Sequence, residues 1–296
     1  MKRDKTGFID LHIHSSYSDG RFSPHQLLEI ASATGLSVIA IADHDSVSGV
    51  PEAITAGEKA GILVIPAVEL SVRFKNWSDI HLLGYGIRHA DREFSRELDK
   101  FRKRREERNV KILARVNEKL KEQNLDEIEM QSVLAYALET IGRPHIAMAL
   151  IDRGYADSVE DAFRRYLVQC NVPKLYWPME NALSEIERMG GVSVLAHPTS
   201  VTSNLDELEA IITELTKIGL EGIEVFNNMA MPHEMEFLRR LGERLDLIVT
   251  GGSDFHGTED GIEIGKGRGG IRFPVALVAP LLKRLSIDAH SLQNFL

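Results

Sequence analysis

The chain has 296 residues, 43% apolar and 27% charged, a globular balance that excludes disorder, collagen-like repeats and a coiled-coil rod. Lys and Arg number 35 against 44 Asp and Glu, a formal charge of −9, so the basic footprint of a general nucleic-acid backbone binder is missing, although a local basic patch or a bound cation can still receive phosphate. The one cysteine, Cys170, excludes an intrachain disulfide and a thiolate zinc cage.

At the N-terminus, Asp10, His12 and His14 interrupt the apolar stretch that a signal peptide needs. No run approaches about 18 apolar residues, so no membrane span is expected and a cytoplasmic location is the default. Phe8–His14 alternates, with Ile9, Leu11 and Ile13 on one face and Asp10, His12 and His14 on the other, which is the period of a strand. Ser23 and Pro24 open a helix that carries Leu27, Leu28, Ile30 and Ala31 and ends at Gly35. Leu36–Ala42 is continuously apolar, as in a parallel strand covered on both faces. A helix over Val50–Ala60 stops at Gly61, and Ile62–Leu70 and Ile80–Ile87 read as further strands. This rhythm is that of βαβ units in an α/β fold.

Around Asp91 the character changes. Twelve Lys and Arg residues fall between Arg92 and Lys121, while Phe94, Leu98, Phe101, Leu113, Val116 and Leu120 recur at roughly helical intervals. The pattern predicts a long amphipathic helix, its charge run either a solvated face or a basic rim beside an anionic substrate. Helical patterns continue over Asp126–Glu139, Arg143–Arg153 and Val159–Leu167, and strand signals are absent from about Asp91 to Pro178. Residues 92–178 therefore read as a helical insertion, or cap, within a discontinuous domain of residues 1–91 and 179–296. Beyond it come helix Asn181–Met189, strand Gly191–Ala196, helix Leu205–Lys217, strand Gly222–Phe226, helix Glu234–Arg244 and strand Leu247–Thr250, and then a glycine-rich loop to Gly270. Seven or so strands with helices between them predict a barrel related to the TIM type, with its chemistry at the carboxyl ends of the strands.

The polar residues fall on that map with regularity. His12 and His14 end the first strand; Asp43, His44 and Asp45 end the second; Glu69 ends the third. His81 and Glu224 lie in strands, His197 follows GVSVLA, and Asp254 and His256 follow LIVTGGS. A parallel barrel gathers such ends into one mouth. Seven of the eleven histidines (12, 14, 44, 81, 145, 197 and 256) take such positions or open the helix at GRPH, while His25, His89, His233 and His290 read as surface residues. Any one of the seven is explained by an ordinary hydrogen bond. Burying all of them with their carboxylates, without cations, would leave them uncompensated.

In order along the chain, the elements DLHIHSSYSDG, IADHD, VEL, IHLLGY, RPHIA, AHP and SDFH resemble those of the polymerase-and-histidinol-phosphatase (PHP) superfamily of metal-dependent phosphoesterases. RPHIA followed by FRRYL resembles its branch of small bacterial nucleotide phosphatases, associated with the 3′-phosphate of nucleoside 3′,5′-bisphosphates and with trimming RNA from the 5′ end. The resemblance implies a distorted (β/α)7 TIM-like barrel with two or three divalent ions. By motif, His12, His14, Glu69 and Asp254 would hold one ion. Glu69 would bridge to a second with His81 and His145, and Asp19, His44 and His256 would hold a third. An N/O ligand set suits Mn, Fe, Zn or Mg. Phosphate ester hydrolysis would follow by attack of a metal-bridging hydroxide, with no protein nucleophile.

Around the ions, Arg143 is expected to clamp phosphate in bidentate fashion. His197 binds the phosphate or completes a metal shell; Asp43 and Asp45 orient ligand imidazoles; Lys174 and Tyr176 line the pocket from the insertion. Many relatives follow AHP with Gly-Arg, whereas Thr199, Ser200 and Val201 stand near it here, and FNNMAMP matches no substrate pattern. The expected partner is a small phosphorylated substrate, a nucleotide, with short RNA as the alternative; neither a membrane nor an obligate protein partner is indicated. A non-catalytic PHP module would show degraded ligand positions, and none is degraded. A metal-dependent amidohydrolase is disfavoured by the lack of a carbamylated-lysine position.

Overall fold

The alternating segment at the start of the chain forms β1 (Phe8–Ile13). It is followed by α1 (Pro24–Ala33), whose capping box pairs the Ser23 hydroxyl with the Gln26 N–H and the Gln26 side chain with the Ser23 N–H. The apolar run is β2 (Leu36–Ile41), and α2 (Val50–Ala60) ends on Gly61 in the left-handed conformation. A computed structural model describes residues 7–136, 141–259 and 261–287. In it the stretch read as one strand over Ile62–Leu70 divides into β3 (Leu63–Val64) and β4 (Ala67–Phe74), and β5 (Trp77–Tyr85) follows.

The long helix is α3 (Arg92–Glu122), capped by Asp91 on the N–H groups of Glu93 and Phe94. After it come α4 (Met130–Leu134), α5 (Arg143–Asp152) and α6 (Val159–Ala162), the last continuing as a π-helical turn over Phe163–Leu167. The helix expected over Asp126–Glu139 is shorter, and positions 137–140 lie outside the described residues, as does His290. Next are β6 (Trp177–Pro178), α7 (Met179–Arg188), β7 (Val192–Leu195), α8 (Leu205–Lys217), β8 (Gly222–Phe226), α9 (Pro232–Arg244) and β9 (Ile248–Gly251). Past the glycine-rich loop lie β10 (Phe273–Pro274) and α10 (Ala279–Arg284), both too short to leave a periodic signal.

Strand pairing departs from one closed ring of parallel strands. It gives a four-stranded sheet, β10-β1-β2-β3, and a six-stranded sheet, β6-β4-β5-β7-β8-β9. β4 and β5 are joined by a tight turn at Lys75, whose φ is 53°, and such a turn can only reverse the chain. β5 therefore runs antiparallel to both β4 and β7. His81 sits in mid-strand opposite Ser71 rather than at a carboxyl end, and the reversal still delivers it to the mouth. Isolated bridges His44↔Glu69 and Ile13↔Phe255 link chain segments at that same end.

Four hydrophobic clusters hold these layers. Ile9, Leu11, Val38, Ala67, Leu83 and Val194, drawn from both sheets, form one. A second joins the six-stranded sheet to α7, α8 and α9, and a third packs α1 and α2 on the four-stranded sheet. A fourth, centred on Ile112, Val116, Ile146, Leu150 and Tyr166, belongs to the helices between Arg92 and Pro178 alone.

Candidate metal centre

Period two along β1 sends His12 and His14 to the same side. The segment after β9 lies alongside them, with the Asp254 N–H donating to the His12 carbonyl at 2.8 Å and the His14 N–H to the Phe255 carbonyl at 3.0 Å. Such close approach requires glycine at 252, where a Cβ would stand 2.3 Å from the His12 Cβ. Two buried aspartates tie down the loops. Asp10 accepts from the N–H (2.9 Å) and hydroxyl (2.5 Å) of Ser253 and from the Gly265 N–H (2.6 Å). Burial nevertheless pushes its pKa up to about 6. Asp43 accepts from the Ser15 N–H (2.7 Å) and the Ser15 and Ser18 hydroxyls (2.6 Å each), which folds the turn that delivers Asp19.

Among the described residues, three overlapping groups bring ligand atoms within 4.8 Å of one another: His12, His14 and Asp254; His14, Asp19, His44 and His256; His44, Glu69 and His81. Glu69 is the hub. Its Oε1 lies 3.0 Å from His81 Nδ1 and 3.3 Å from both His12 Nε2 and His197 Nε2, and its Oε2 lies 2.9 Å from His44 Nδ1 and 3.2 Å from His14 Nε2.

The residues fit divalent cations. His12 Nε2 and His14 Nε2 face each other at 3.1 Å with Asp254 Oδ1 3.4 and 3.1 Å away, so lone pairs and carboxylate oxygens converge on one point. Among the described residues, buried His14 Nδ1, Asp19 Oδ1, His81 Nε2 and His145 Nε2 have no hydrogen-bond partner, and the close approaches of Glu69 Oε2 to His44 Nδ1 and His14 Nε2 lack hydrogen-bond geometry. Each such atom costs about 1–3 kcal/mol unless something pairs with it. The donors are nitrogen and oxygen only, suited to first-row divalent ions.

Electrostatics express the same crowding. Burial opposes charge on His12, yet Glu69, Glu224 and Asp254 outweigh it and raise its pKa well above the usual range. Burial likewise opposes charge on His256, but Asp19 lifts it to about 10. At His44 burial prevails over Glu69 and Asp19, and the pKa falls to about 4. Glu69 itself is held well below the carboxylate range, because His81, His44 and His12 outweigh its burial.

Beside the groups opens a cavity of 130 Å³, bounded by Asp19, His44 and His81 and by Arg105, Arg108, Arg143 and Lys174. Arg143 stands over the Phe163 ring at 5.3 Å, and Lys174 reaches Asp79 at 3.1 Å. Burial, then the neighbouring charges of Arg143 and Arg105, lower Arg108 to about 10. Wider grooves of 620 Å³ near Pro280 carry none of the converging histidines.

Several expectations need correction. Asp45 does not orient His44: its Oδ2 accepts from Arg105 at 2.6 Å and its Oδ1 from the Ser71 N–H at 3.3 Å. Asp43 serves the Ser15–Ser18 turn instead of an imidazole. His145 is not grouped with Glu69 and His81; its ring accepts from the Gly142 N–H at 2.9 Å and shares a small cavity with Asp19. His197 stands where His145 was expected, 3.3 Å from both Glu69 and His81. Ser200, a departure at AHP, pairs with its Nδ1 at 2.8 Å. Tyr176 stands beneath Lys174, 5.7 Å from its Nζ, instead of in the cavity wall. Asn227 and Asn228 are occupied by the backbone of their own and neighbouring loops.

Arg105 and Arg108 were hidden within the charge run. A signal existed: Arg105 and Asn109 continue the inward stripe Phe94, Leu98, Phe101 toward Ile112 and Val116. A polar residue on an apolar stripe marks a buried partner, here Asp45 for Arg105 and the Ile141 carbonyl for Asn109.

A family model described as the PHP domain matches residues 10–171, more than half of the chain. The chain belongs to the PHP domain family. It is 31% identical over 262 residues to a 5′-3′ exoribonuclease of Haemophilus influenzae, covering 87% of this chain and 93% of that one. It is 29% identical over 262 residues to a 3′,5′-nucleoside bisphosphate phosphatase of Chromobacterium violaceum, covering 86% and 88%. A solved structure from Bifidobacterium adolescentis, classed as a metal-dependent phosphoesterase, superimposes with a TM-score of 0.82 at 30% identity, covering 95% of this chain and 96% of that one. No helix among the described residues is long and apolar enough to cross a membrane.

Proposed function

We propose that the chain hydrolyses a phosphate monoester of a small nucleotide, the 3′-phosphate of a nucleoside 3′,5′-bisphosphate. It is a hydrolase acting on phosphoric ester bonds. The observation that carries the substrate reading is the meeting of two unlike sets of side chains. Asp19, His44 and His81 of the overlapping N/O groups line the same cavity as Arg105, Arg108, Arg143 and Lys174. Its 130 Å³ corresponds to about four waters at roughly 30 Å³ each, room for phosphoryl groups with the nucleoside projecting outward.

His12, His14, Glu69 and Asp254 would hold one divalent ion; Glu69, His81 and His197 a second; Asp19, His44 and His256 a third, with His145 beside it. Bound ions, drawn from Mn, Fe, Zn or Mg, supply Lewis acidity and activation of the attacking water. Arg143 holds phosphoryl oxygens through two N–H groups at once, and Lys174 adds a point charge. Asp45 keeps Arg105 in the cavity wall, where its charge faces a second phosphate. We read the two sheets as parts of one distorted seven-stranded barrel, with residues 92–178 as the cap that brings α3 and α5 over its mouth.

A second reading is 5′-to-3′ trimming of short RNA at the same site, favoured by the similarity to the Haemophilus exoribonuclease. The test is a screen of manganese-loaded protein against nucleoside 3′,5′-bisphosphates and 5′-phosphorylated oligoribonucleotides, with phosphate and mononucleotide measured separately. Faster phosphate release from the bisphosphate is expected. Faster mononucleotide release from the oligomers would reverse the ranking.

A further inference from the structure

Glu224, on β8, is fully buried and touches two histidines with two different oxygens. Its Oε1 lies 3.0 Å from His12 Nδ1, and its Oε2 accepts the backbone N–H of His197 at 2.8 Å. The opposite ring nitrogen of His12, Nε2, faces His14, Glu69 and Asp254. His197 has a φ of 27°, in a region that residues with side chains adopt only when their surroundings force it.

We infer that Glu224 is a positioning residue for the metal centre: it fixes the ring proton of His12 on Nδ1, leaving Nε2 free to ligate, and pins the His197 backbone so that its ring reaches Glu69. The inference rests on the metal-centre reading above. A carboxylate has no proton to give, and a His12 that ligates an ion through Nε2 keeps one ring proton, so that proton must sit on Nδ1, facing Glu224. The same carboxylate satisfies the His197 N–H with its other oxygen. An amide of equal shape cannot do both. If its oxygen takes the His197 N–H, its NH₂ faces His12 Nδ1, drives the ring proton to Nε2 and blocks the ligand. If it turns over, two donors meet at His197.

The test compares the metal-free wild type with Glu224→Gln and Glu224→Ala. Zn²⁺ affinity is measured by competition with a chromophoric chelator, and the fold is checked by circular dichroism. A displaced ligand-orienting partner typically weakens metal binding 10–100-fold. Glu224→Gln should show about that loss and bind no better than Glu224→Ala. Wild-type affinity in Glu224→Gln beside a weakened Glu224→Ala would reduce Glu224 to a space filler and overturn the inference alone. Should Glu224→Gln not fold, imidazole ¹⁵N spectra of the zinc-loaded wild type decide: a protonated Nδ1 on His12 is expected, and an unprotonated one overturns the inference. A wild-type chain that binds no ion would overturn the metal-centre reading and this inference with it.

Discussion

The contact between Arg105 of α3 and Asp45, beyond β2, allows the sharpest structural prediction. The guanidinium Nη2 lies 2.6 Å from the carboxylate, and the two side chains are 11% and 5% exposed. Removing one partner leaves the other charged and buried, at a cost of about 3–5 kcal/mol. Asp45→Asn tests the charge alone, because Asn tolerates the φ of 50° at this position. Arg105→Met keeps the apolar stem and removes the charge. The double variant leaves no orphaned charge, so its loss should fall short of the sum of the singles by about 1–3 kcal/mol. Urea unfolding of the four metal-free proteins under identical conditions measures this. Losses that add to within about 0.5 kcal/mol would mean the ion pair does not couple α3 to the loop of His44 and Asp45, and the argument for Arg105 as a held cavity wall would fail.

Four other perturbations probe the site and the helical segment beside it. Arg143→Ala should keep its metal while turnover falls about ten- to over a hundredfold, the worth of a charge-assisted bidentate contact, whereas His145→Ala should lower the metal count by elemental analysis; unchanged metal in both, or metal lost in Arg143→Ala, contradicts the placement of α5. Gly252→Ala drives a methyl to 2.3 Å from the His12 Cβ and should abolish metal binding or soluble expression; a metal-loaded variant with normal kinetics would show that the loop after β9 has room to move. Burial raises the Cys170 thiol, so a disulfide reagent should react slowly with native protein and quickly after unfolding, as timed absorbance would show; immediate stoichiometric reaction would place Cys170 at the surface.

Local periodicity made most of the centre readable from sequence. His12 with His14 is a two-residue alternation whose geometry does not depend on the rest of the fold, and helices such as Val50–Ala60 and Leu205–Lys217 carry their own boundaries. What local pattern cannot encode is which segments pair. An apolar strand reads the same in either direction, so the antiparallel β5 and the division into two sheets were invisible. Exchange of His145 for His197 beside Glu69 has the same origin, since it depends on where α5 comes to rest. Arg105 was concealed by composition: one buried cation among twelve Lys and Arg residues looks like its solvated neighbours until its place on the apolar stripe is counted.

The most direct test of the central claim is phosphate release from a nucleoside 3′,5′-bisphosphate by chelator-stripped protein, before and after manganese is restored. The convergence of His12, His14, Asp19, His44, Glu69, His81, Asp254 and His256 predicts negligible release without metal and recovery as metal is added. Full release by metal-free protein would contradict the account, because these side chains would then be doing something other than holding ions.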